Sequence, residues 1–375
     1  MLVGITGSNG FIGTHLVNYF SKISKLNYIQ IHKDDFNNHK LHEKVNKCDV
    51  IIHLAGLNRH NDSNVIFNTN VDLTKKLITA LKKSQKTKHL IFSSSTQESR
   101  ANSYGKSKRK SQELFSKWAE TSSKYFTNLL IPNVFGPYCK PHYNSVISTF
   151  AFQLINNINP SIINDNHLEL VYVQNLVIEF DKITRDKLNR SKFSDQIDIK
   201  FDKQIQVSKI LEKLKKFKKN YIDNGIIPNL TNEFDKNLFI TFSSYLDDNF
   251  FPRYFDVHED NRGSFSEVVR SKSKGQFSYS ITKSGVIRGE HFHTRKIERF
   301  IVISGKAEIK IRRVNEKKIK KFLIDDSRPS YIDIPVWSTH NIKNIGNNDL
   351  ITLFWINEHY DEEDHDTFHE LVEIK

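Results

Sequence analysis

The chain has 375 residues, with 56 Lys and Arg against 43 Asp and Glu, which gives a formal net charge of +13. Its length suits two domains with separate cores. Its apolar runs are too short to cross a bilayer. Its two cysteines, Cys48 and Cys139, form neither a disulfide framework nor a CxxC site. We therefore expect a cytoplasmic protein without a membrane partner, whose positive charge favours polyanionic ligands such as phosphorylated small molecules.

The first predicted elements are a strand from Leu2 to Thr6, a glycine-rich turn and a helix. Glycines spaced GxxGxxG between a strand and a helix permit a tight turn, let backbone N–H groups reach a pyrophosphate, and allow close helix–strand packing. An ordinary strand-to-helix junction is the alternative explanation. We predict a dinucleotide site with contacts from Gly7, Asn9, Gly10, Phe11, Ile12 and Gly13.

The second predicted strand, Tyr28 to His32, bears on which dinucleotide binds. NAD sites usually carry an acidic residue at the end of this strand to bind the ribose 2′-hydroxyl, whereas here His32 and Lys33 come first. A cation at this position favours the 2′-phosphate of NADP(H), so His32 and Lys33 are predicted to contact it. A shift of one residue would bring in Asp34 instead and favour NAD.

Further strands at Asp49 to Leu54 and His89 to Ser93, with a helix from Asn70 between them, continue the alternation. Such alternation predicts an α/β Rossmann fold, a doubly wound parallel sheet. After the last of these strands come Tyr104 and Lys108, a YxxxK pair one helical turn apart. The ammonium would lower the tyrosine pKa, and the phenol could then give a proton to a carbonyl oxygen as hydride arrives from a nicotinamide.

A basic stretch from Lys209 to Lys219 could suggest a nucleic-acid patch. Apolar residues recur within it at helical spacing, so we predict an amphipathic helix with a solvated lysine face. No recognisable nucleic-acid-binding module accompanies it. We therefore expect no nucleic-acid partner.

Beyond about residue 247 the pattern changes to closely spaced strands separated by turns. This pattern predicts an all-β jelly-roll barrel, with the boundary between domains at residues 247 and 248. The first domain is then 1–247 and the second 248–375.

The second domain contains a candidate metal site. Residues two apart in a strand point to one face, so His291 and His293 can act together, with Glu298 on a paired strand and His340 as a fourth ligand. Three imidazoles and a carboxylate suit Zn2+, although iron, nickel and manganese also occupy such sites. The segment from Gly285 to Gly305 fits the first cupin motif, G(x)5HxH(x)4E(x)6G, and Pro335 to Asn344 resembles the second, except that Trp337 replaces a glycine.

The first domain resembles the extended short-chain dehydrogenase/reductase family, through the glycine turn, the YxxxK pair, His53 to Gly56 after the fourth strand, and Asn70-Val71 opening the next helix. The resemblance implies cofactor contacts from Leu54, Ala55, Gly56 and Lys108. It also implies a serine that orients the substrate carbonyl, which is Ser95 here. Because only eight residues separate Ser95 from Tyr104, Ser94 or Thr96 are alternatives.

Residues upstream of the metal motif resemble the substrate-binding pattern of cupin epimerases acting on 4-keto-6-deoxy nucleotide sugars. The resemblance implies that substrate contacts come from Arg262, Phe265, Glu267 and Arg288. In those epimerases a histidine is the base, so His291 would have to be both base and metal ligand. We favour the ligand role, because His293, Glu298 and His340 complete a shell around it.

Over nearly its whole length the chain resembles the CapF-like capsular polysaccharide enzymes, including Pro132 to Gly136, which contains the candidate substrate residue Asn133. The resemblance implies a bifunctional enzyme on the route to UDP-N-acetyl-L-fucosamine. The cupin would epimerise C3 of a UDP-2-acetamido-2,6-dideoxy-4-hexulose, and the reductase would then reduce C4. We expect a homodimer; the alternative is a non-catalytic sugar-nucleotide-binding or assembly module with one inactive domain.

Overall fold

A computed structural model describes residues 1–186, 193–261 and 263–374. The described chain divides into two compact units, residues 1–149 with 161–210 and residues 150–160 with 211–375. This division differs from the predicted boundary at residue 247, because residues 211–247 pack with the C-terminal strands. For example, the buried Tyr221 hydroxyl donates a hydrogen bond of 2.5 Å to Asp333. The limits of the functional domains therefore stay a prediction.

A parallel sheet forms the centre of the N-terminal unit. The strands of this unit are β1 (Leu2–Thr6), β2 (Asn27–Ile31), β3 (Val50–His53), β4 (His89–Ser93), β5 (Tyr125–Leu130), β6 (Asn133–Phe135), β7 (His167–Tyr172), β8 (Ser194–Asp198) and β9 (Lys203–Gln206). The central sheet has the order β2-β1-β3-β4-β5-β8, and β6, β7 and β9 form a smaller sheet. The order reverses direction between β1 and β3, so the sheet opens a crevice beyond their carboxyl ends.

Helices cover both faces of the central sheet, which confirms the predicted doubly wound fold. The helices in this part of the chain are α1 (Phe11–Tyr19), α2 (Lys40–Lys47), α3 (Ser63–Lys83), α4 (Ser103–Ser122), α5 (Val146–Ile155), α6 (Val173–Arg185) and α7 (Val207–Phe217), of which α5 and α7 belong mostly to the C-terminal unit. One core packs α1 and α6 against the sheet, and a second core packs α2, α3 and α4 against its other face. Because they are covered on both faces, β3 and β4 are buried along their whole length.

Two details of the predicted N-terminal order are wrong. His53 to Gly56 follow the third strand rather than the fourth, because residues 33–47 form only a short helical turn and α2 before β3 begins. Helix α3 begins at Ser63, where the Asp62 side chain accepts a hydrogen bond from Asn64 N at 2.8 Å. Asn70 therefore lies about two turns inside α3, where it faces the strand ends.

The predicted amphipathic helix is confirmed as α7. Ile210 and Leu214 are fully buried on one side of this helix, and Phe217 is nearly so. Lys209, Lys215 and Lys216 occupy the exposed side. Helical spacing thus separates the apolar residues from the charged ones, as expected for a surface helix.

The C-terminal unit is built from antiparallel β-sheets, which confirms the predicted all-β class. After helix α8 (Glu233–Ser243), its strands are β10 (Arg253–Tyr254), β11 (His258–Asp260), β12 (Gly263–Phe265), β13 (Gln276–Thr282), β14 (Ile287–Phe292), β15 (Glu298–Ser304), β16 (Lys306–Arg313), β17 (Ile319–Asp325), β18 (Ser330–Ile334), β19 (Ser338–Asn344), β20 (Leu350–Ile356) and β21 (Phe368–His369). One sheet has the order β10-β18-β15-β20-β13 and another β17-β16-β19-β14-β21, while β11 and β12 form a separate hairpin. Apolar residues of both larger sheets, among them Phe300, Ile309 and Ile342, share one core.

Within the described residues, no helix combines the length and the apolar character that a membrane span requires.

Candidate active site and candidate metal centre

The glycine turn after β1 has the geometry that the sequence predicts. Gly7 adopts a φ of 69°, a left-handed conformation that suits glycine. Gly10 N donates to Gly7 O at 3.0 Å and closes the turn. A methyl group on Gly13 would lie 2.2 Å from Gly7 O, so only glycine lets α1 pack this closely. The first turn of α1, including Phe11 and Ile12, directs backbone N–H groups towards the crevice beyond β1.

The segment after β3 lies beside this turn. A methyl group on Gly7 would lie 2.7 Å from Ala55 N, and Ala55 N itself donates to Thr6 Oγ1 at 3.2 Å. The Asn70 amide holds both backbone groups of Leu57, accepting from Leu57 N at 2.7 Å and donating to Leu57 O at 2.9 Å. The segment containing Leu54, Ala55 and Gly56 is therefore fixed at the point where the strand order reverses.

Tyr104 and Lys108 come together at this same edge of the sheet. Helix α4 carries both, and its N-cap Asn102 accepts a hydrogen bond from Gly105 N at 2.7 Å. The Lys108 ammonium lies 5.6 Å from the centre of the Tyr104 ring and donates to Ser93 O at 2.7 Å. A methyl group on Gly56 would come within 3.6 Å of Lys108 Nζ. The YxxxK pair and the segment after β3 thus border one site.

The predicted lowering of the Tyr104 pKa is wrong. Burial raises the pKa of Tyr104 to about 12, and the nearby Tyr143 and Glu98 add to the effect. Burial also lowers the pKa of Lys108 to about 8. Desolvation disfavours the charged form of each group. Glu98, which lies near both groups, was missed by the sequence argument because no motif marks it.

The three candidate hydroxyl residues before α4 differ in their partners. The Ser94 hydroxyl donates to the Glu98 carboxylate. The buried Ser95 Oγ accepts from Gln97 N at 3.2 Å, where it caps a short helical turn. Thr96 is exposed. Ser94 is therefore engaged with a carboxylate, whereas Ser95 keeps its own O–H for another acceptor.

The segment after β2 presents His32, Lys33 and Asp34 to solvent. Asp35, in contrast, is buried and turns inward. Its carboxylate accepts from Lys44 Nζ at 2.7 Å and from His32 N at 2.7 Å. Burial opposes its charge, but the contacts with Lys44 and His32 together outweigh burial and keep the pKa of Asp35 below its usual value.

The four predicted metal ligands come together in the C-terminal unit. Among the described residues, His291, His293, Glu298 and His340 form one group whose ligand atoms all lie within 4.8 Å of one another. His291 on β14 is paired directly with His340 on β19. The prediction that Glu298 lies on a strand paired with the histidine strand is wrong: it opens β15, which belongs to the other large sheet. The group therefore bridges two sheets across the interior.

Hydrogen bonds fix the orientation of two of the imidazoles. His293 Nδ1 contacts Asp366 O at 2.5 Å, and His340 Nδ1 contacts Ser338 O at 3.2 Å. A carbonyl oxygen only accepts hydrogen bonds, so each Nδ1 carries a proton and each ring turns its Nε2 atom inward. The two Nε2 atoms lie 3.2 Å and 3.0 Å from the same Glu298 oxygen.

These inward-facing atoms fit a divalent cation. Three of them are buried and have no hydrogen-bond partner of acceptable geometry among the described residues. These atoms are Nε2 of His293, Nε2 of His340 and Oε2 of Glu298. A bound cation between these atoms would offset the charge of the buried carboxylate. Burial opposes the charge of Glu298, yet the two imidazoles hold its pKa well below its usual range, so it is a carboxylate. Burial and the neighbouring His340 lower the pKa of His291 to about 4, so its imidazole is neutral, as a ligand requires.

Trp337, which stands where the cupin motif has glycine, keeps a glycine-like backbone. Its φ is 57°, and its side chain is buried and stacked on Phe292 with ring centres 5.5 Å apart. Trp337 N donates to His293 O at 2.7 Å. Burial of a large aromatic ring stabilises the fold enough to offset a left-handed backbone. The loop shape is thus preserved without glycine.

The predicted substrate residues are less tightly grouped. Asn133 lies on β6, where its amide donates to Glu169 O at 3.2 Å. Phe265 is exposed on the β11–β12 hairpin, and Glu267 forms an ion pair with Arg270. Arg288 on β14 donates to Thr282 Oγ1 at 3.0 Å. Arg262 lies outside the described residues, and the described contacts of Phe265, Glu267 and Arg288 do not join them to the histidine group.

Comparison with known families supports this two-part architecture. Residues 3–187 match the NAD dependent epimerase/dehydratase family, and residues 258–368 match the polysaccharide biosynthesis C-terminal domain. The chain is therefore a nicotinamide-dependent epimerase/dehydratase-type domain followed by a polysaccharide biosynthesis domain.

Full-length relatives make the assignment more specific. A UDP-2-acetamido-2,6-beta-L-arabino-hexul-4-ose reductase of Pseudomonas aeruginosa is 31% identical over 371 residues, 98% of each protein. The capsular polysaccharide assembling protein CapF of Staphylococcus aureus is 31% identical with a TM-score of 0.64, over 99% of this chain and 100% of that one. The chain belongs to the CapF-like family of capsular polysaccharide enzymes. A UDP-glucuronic acid 4-epimerase of Bacillus cereus, 18% identical with a TM-score of 0.52 over 58% of this chain and 83% of its own length, shares the N-terminal fold.

Proposed function

We propose that this protein reduces the C4 ketone of a UDP-2-acetamido-2,6-dideoxy-4-hexulose with NADPH, after its C-terminal domain has inverted C3. The reductase step is supported by the activity named for the full-length relative from Pseudomonas aeruginosa. The observation that carries it is the convergence of Tyr104, Lys108 and Gly56 at the reversal point of the sheet. The product would be UDP-2-acetamido-2,6-dideoxy-L-talose, a precursor of UDP-N-acetyl-L-fucosamine.

The N-terminal residues have states that suit reduction. A bound nicotinamide would supply hydride to C4. Tyr104 would donate its proton to the C4 oxygen, and its raised pKa keeps the phenol protonated at neutral pH, the form that a reduction needs. We assign the carbonyl-orienting role to Ser95, because Ser94 is engaged with Glu98. Lys108, fixed by Ser93 O, would bind the ribose hydroxyls.

A preference for NADPH is supported by the segment after β2. The buried Asp35 carboxylate accepts hydrogen bonds from Lys44 Nζ and from His32 N, so these contacts would compete with a ribose hydroxyl for it. Lys33 is exposed and offers a cation to a 2′-phosphate. Asp34 is exposed as well, so the preference rests on Lys33 outweighing one neighbouring carboxylate.

For the C-terminal unit we propose a cupin that holds one divalent ion, Zn2+ by its ligand set of three imidazoles and one carboxylate. Such an ion would supply a positive charge that stabilises an enolate. His291, His293, Glu298 and His340 would hold it, and the inward Nε2 atoms support this assignment. A group other than His291 would then serve as the base at C3.

The proposed order of the two steps follows from the chemistry of the sugar. A ketone at C4 makes the C3 proton acidic, so C3 can be inverted by removing and returning that proton. Reduction at C4 removes this acidity and fixes the new configuration. Epimerisation must therefore precede reduction.

The test is a coupled assay on the purified full-length protein. Oxidation of NADPH should occur with UDP-2-acetamido-2,6-dideoxy-β-L-arabino-hexul-4-ose and should be absent with UDP-N-acetylglucosamine, which has no ketone. Failure to oxidise NADPH or NADH with the 4-keto sugar would contradict the reductase proposal.

We also propose that the enzyme is a cytoplasmic homodimer. A monomer found by light scattering at micromolar concentration would contradict the dimer.

A further inference from the structure

The C-terminal segment from Asp364 to Val372 is joined to the ligand-bearing part of the barrel at several points. Strand β21 pairs with β14 and places His369 opposite His291 and Phe368 opposite Phe292. Buried Arg312 donates to Val372 O at 2.7 Å and to Leu371 O at 2.8 Å. This segment therefore packs against the candidate metal centre, although none of its side chains belongs to the ligand group.

Asp366 makes the most extensive of these contacts. Its carboxylate accepts hydrogen bonds from the consecutive backbone N–H groups of Thr294, Arg295 and Lys296, at 3.1, 2.9 and 3.0 Å. The Thr294 hydroxyl adds a hydrogen bond of 2.6 Å. The side chain is 4% exposed, so these hydrogen bonds form in a largely water-excluded environment. An anion that accepts from successive N–H groups fixes the turn that carries them.

The turn fixed by Asp366 joins two of the ligands. His293 comes before the turn, directly after β14 ends. Glu298 follows the turn and opens β15, which belongs to the other large sheet. The carbonyl of Asp366 also accepts from His293 Nδ1 and thereby directs Nε2 into the site. One residue thus sets both the ring orientation of His293 and the path of the backbone to Glu298.

We infer that Asp366 is a positioning residue for the metal, so that retention of the ion depends on the C-terminal segment being in place. This inference rests on the metal site proposed above. Partners that orient metal ligands typically change metal affinity by about 10- to 100-fold when they are removed. Asp366→Asn is the informative change, because it keeps the size and tolerates the residue's φ of 43° but replaces one acceptor oxygen with an NH2 donor.

The experiment measures zinc affinity of the full chain by competition with a chromophoric chelator, together with the visible spectrum of the Co2+-loaded protein. Asp366→Asn should weaken zinc binding by about 10- to 100-fold and change the Co2+ bands, because the His293 and Glu298 geometry relaxes. Asp361→Asn, an exposed carboxylate in the same C-terminal region, is the matched control and should leave both unchanged.

A purely structural role predicts a different pattern. In that case Asp366→Asn would lower the melting temperature of the metal-free protein while zinc affinity and the Co2+ spectrum stay as in the parent, and the inference would be overturned. Should Asp366→Asn fail to fold, Thr294→Val removes only the hydroxyl contact and should still weaken zinc binding measurably. Unchanged zinc affinity in Thr294→Val would also overturn the inference. A parent protein that binds no zinc would instead refute the metal site itself.

Discussion

The two candidate sites differ in how the chain builds them. The residues of the reductase site lie at the ends of adjacent parallel strands. Backbone groups and glycines such as Gly7 and Gly56 form much of its surface. The metal centre joins side chains of two facing sheets, and its geometry depends on a segment near the C-terminus. The first site depends on close backbone packing at the strand ends, whereas the second depends on contacts between distant segments of the barrel. The two sites should therefore respond independently to substitution.

Tyr104→Phe should have the largest effect and should separate the two activities. Removing the phenolic proton donor should slow hydride transfer by about 10²- to 10⁴-fold. Exchange of the C3 proton in deuterated water should remain near the parent rate, because the proposed epimerase site lies in the other unit. Tyr125→Phe, on β5, is the control. Equal loss of both activities in a folded Tyr104→Phe protein would contradict separate sites.

His340→Ala should remove the metal-dependent part of the stability. An ion that binds only the folded state stabilises it by about 2.7 kcal/mol when its free concentration is about 100 times Kd. A chelator should therefore lower the melting temperature of the parent but leave that of His340→Ala unchanged. His359→Ala, an exposed histidine, should behave as the parent does. A fully active parent, purified without chelator and lacking stoichiometric metal by elemental analysis, would refute the site.

The buried Lys108 should make the cofactor-free protein more stable as pH rises above 8. Its pKa is about 8 in the fold, against 10.5 when solvated, so between these values the unfolded chain holds a proton that the folded chain has lost. The contribution of Lys108 to stability therefore rises with pH across this window, by about 3 kcal/mol at about 1.4 kcal/mol per pKa unit. Calorimetry from pH 7.5 to 9 should show this rise, because above pH 9 the buried Cys48 thiol, whose pKa burial raises to about 12, opposes it.

Lys108→Met should abolish the rise, whereas Lys106→Met, an exposed lysine of the same helix, should keep it. The same slope in the parent and in Lys108→Met would mean that another group causes it.

Lys33→Ala should have the smallest effect. The exposed ammonium would contribute to 2′-phosphate binding about as much as a surface ion pair does, so the preference for NADPH over NADH should fall by about two- to fivefold. The ratio of kcat/KM for NADPH to that for NADH measures this preference. Lys40→Ala, from the same segment, is the control. If the parent prefers NADH, the NADP assignment is wrong.

Local patterns predicted much of both regions. The residues of the glycine turn, of the YxxxK pair and of the HxH pair at the end of β14 are close in sequence, so their spacing alone places them near one another. The start of α3 was missed because the capping residue Asp62 lies in a polar stretch without apolar periodicity. The sheet that carries Glu298 and the role of Asp366 depend on pairings between distant segments, which no local pattern specifies. The Tyr104 pKa was mispredicted because the sequence gives the nearby cation but not the degree of burial.

The most direct test of two successive steps at two sites is mass spectrometry of the product formed from the UDP-linked 4-keto sugar and NADPH in deuterated water. Our account predicts a product that is reduced at C4 and carries deuterium at C3. With NADPH deuterated at the transferred position in ordinary water, the label should appear at C4 alone. A reduced product that forms in deuterated water without deuterium at C3 would contradict the account.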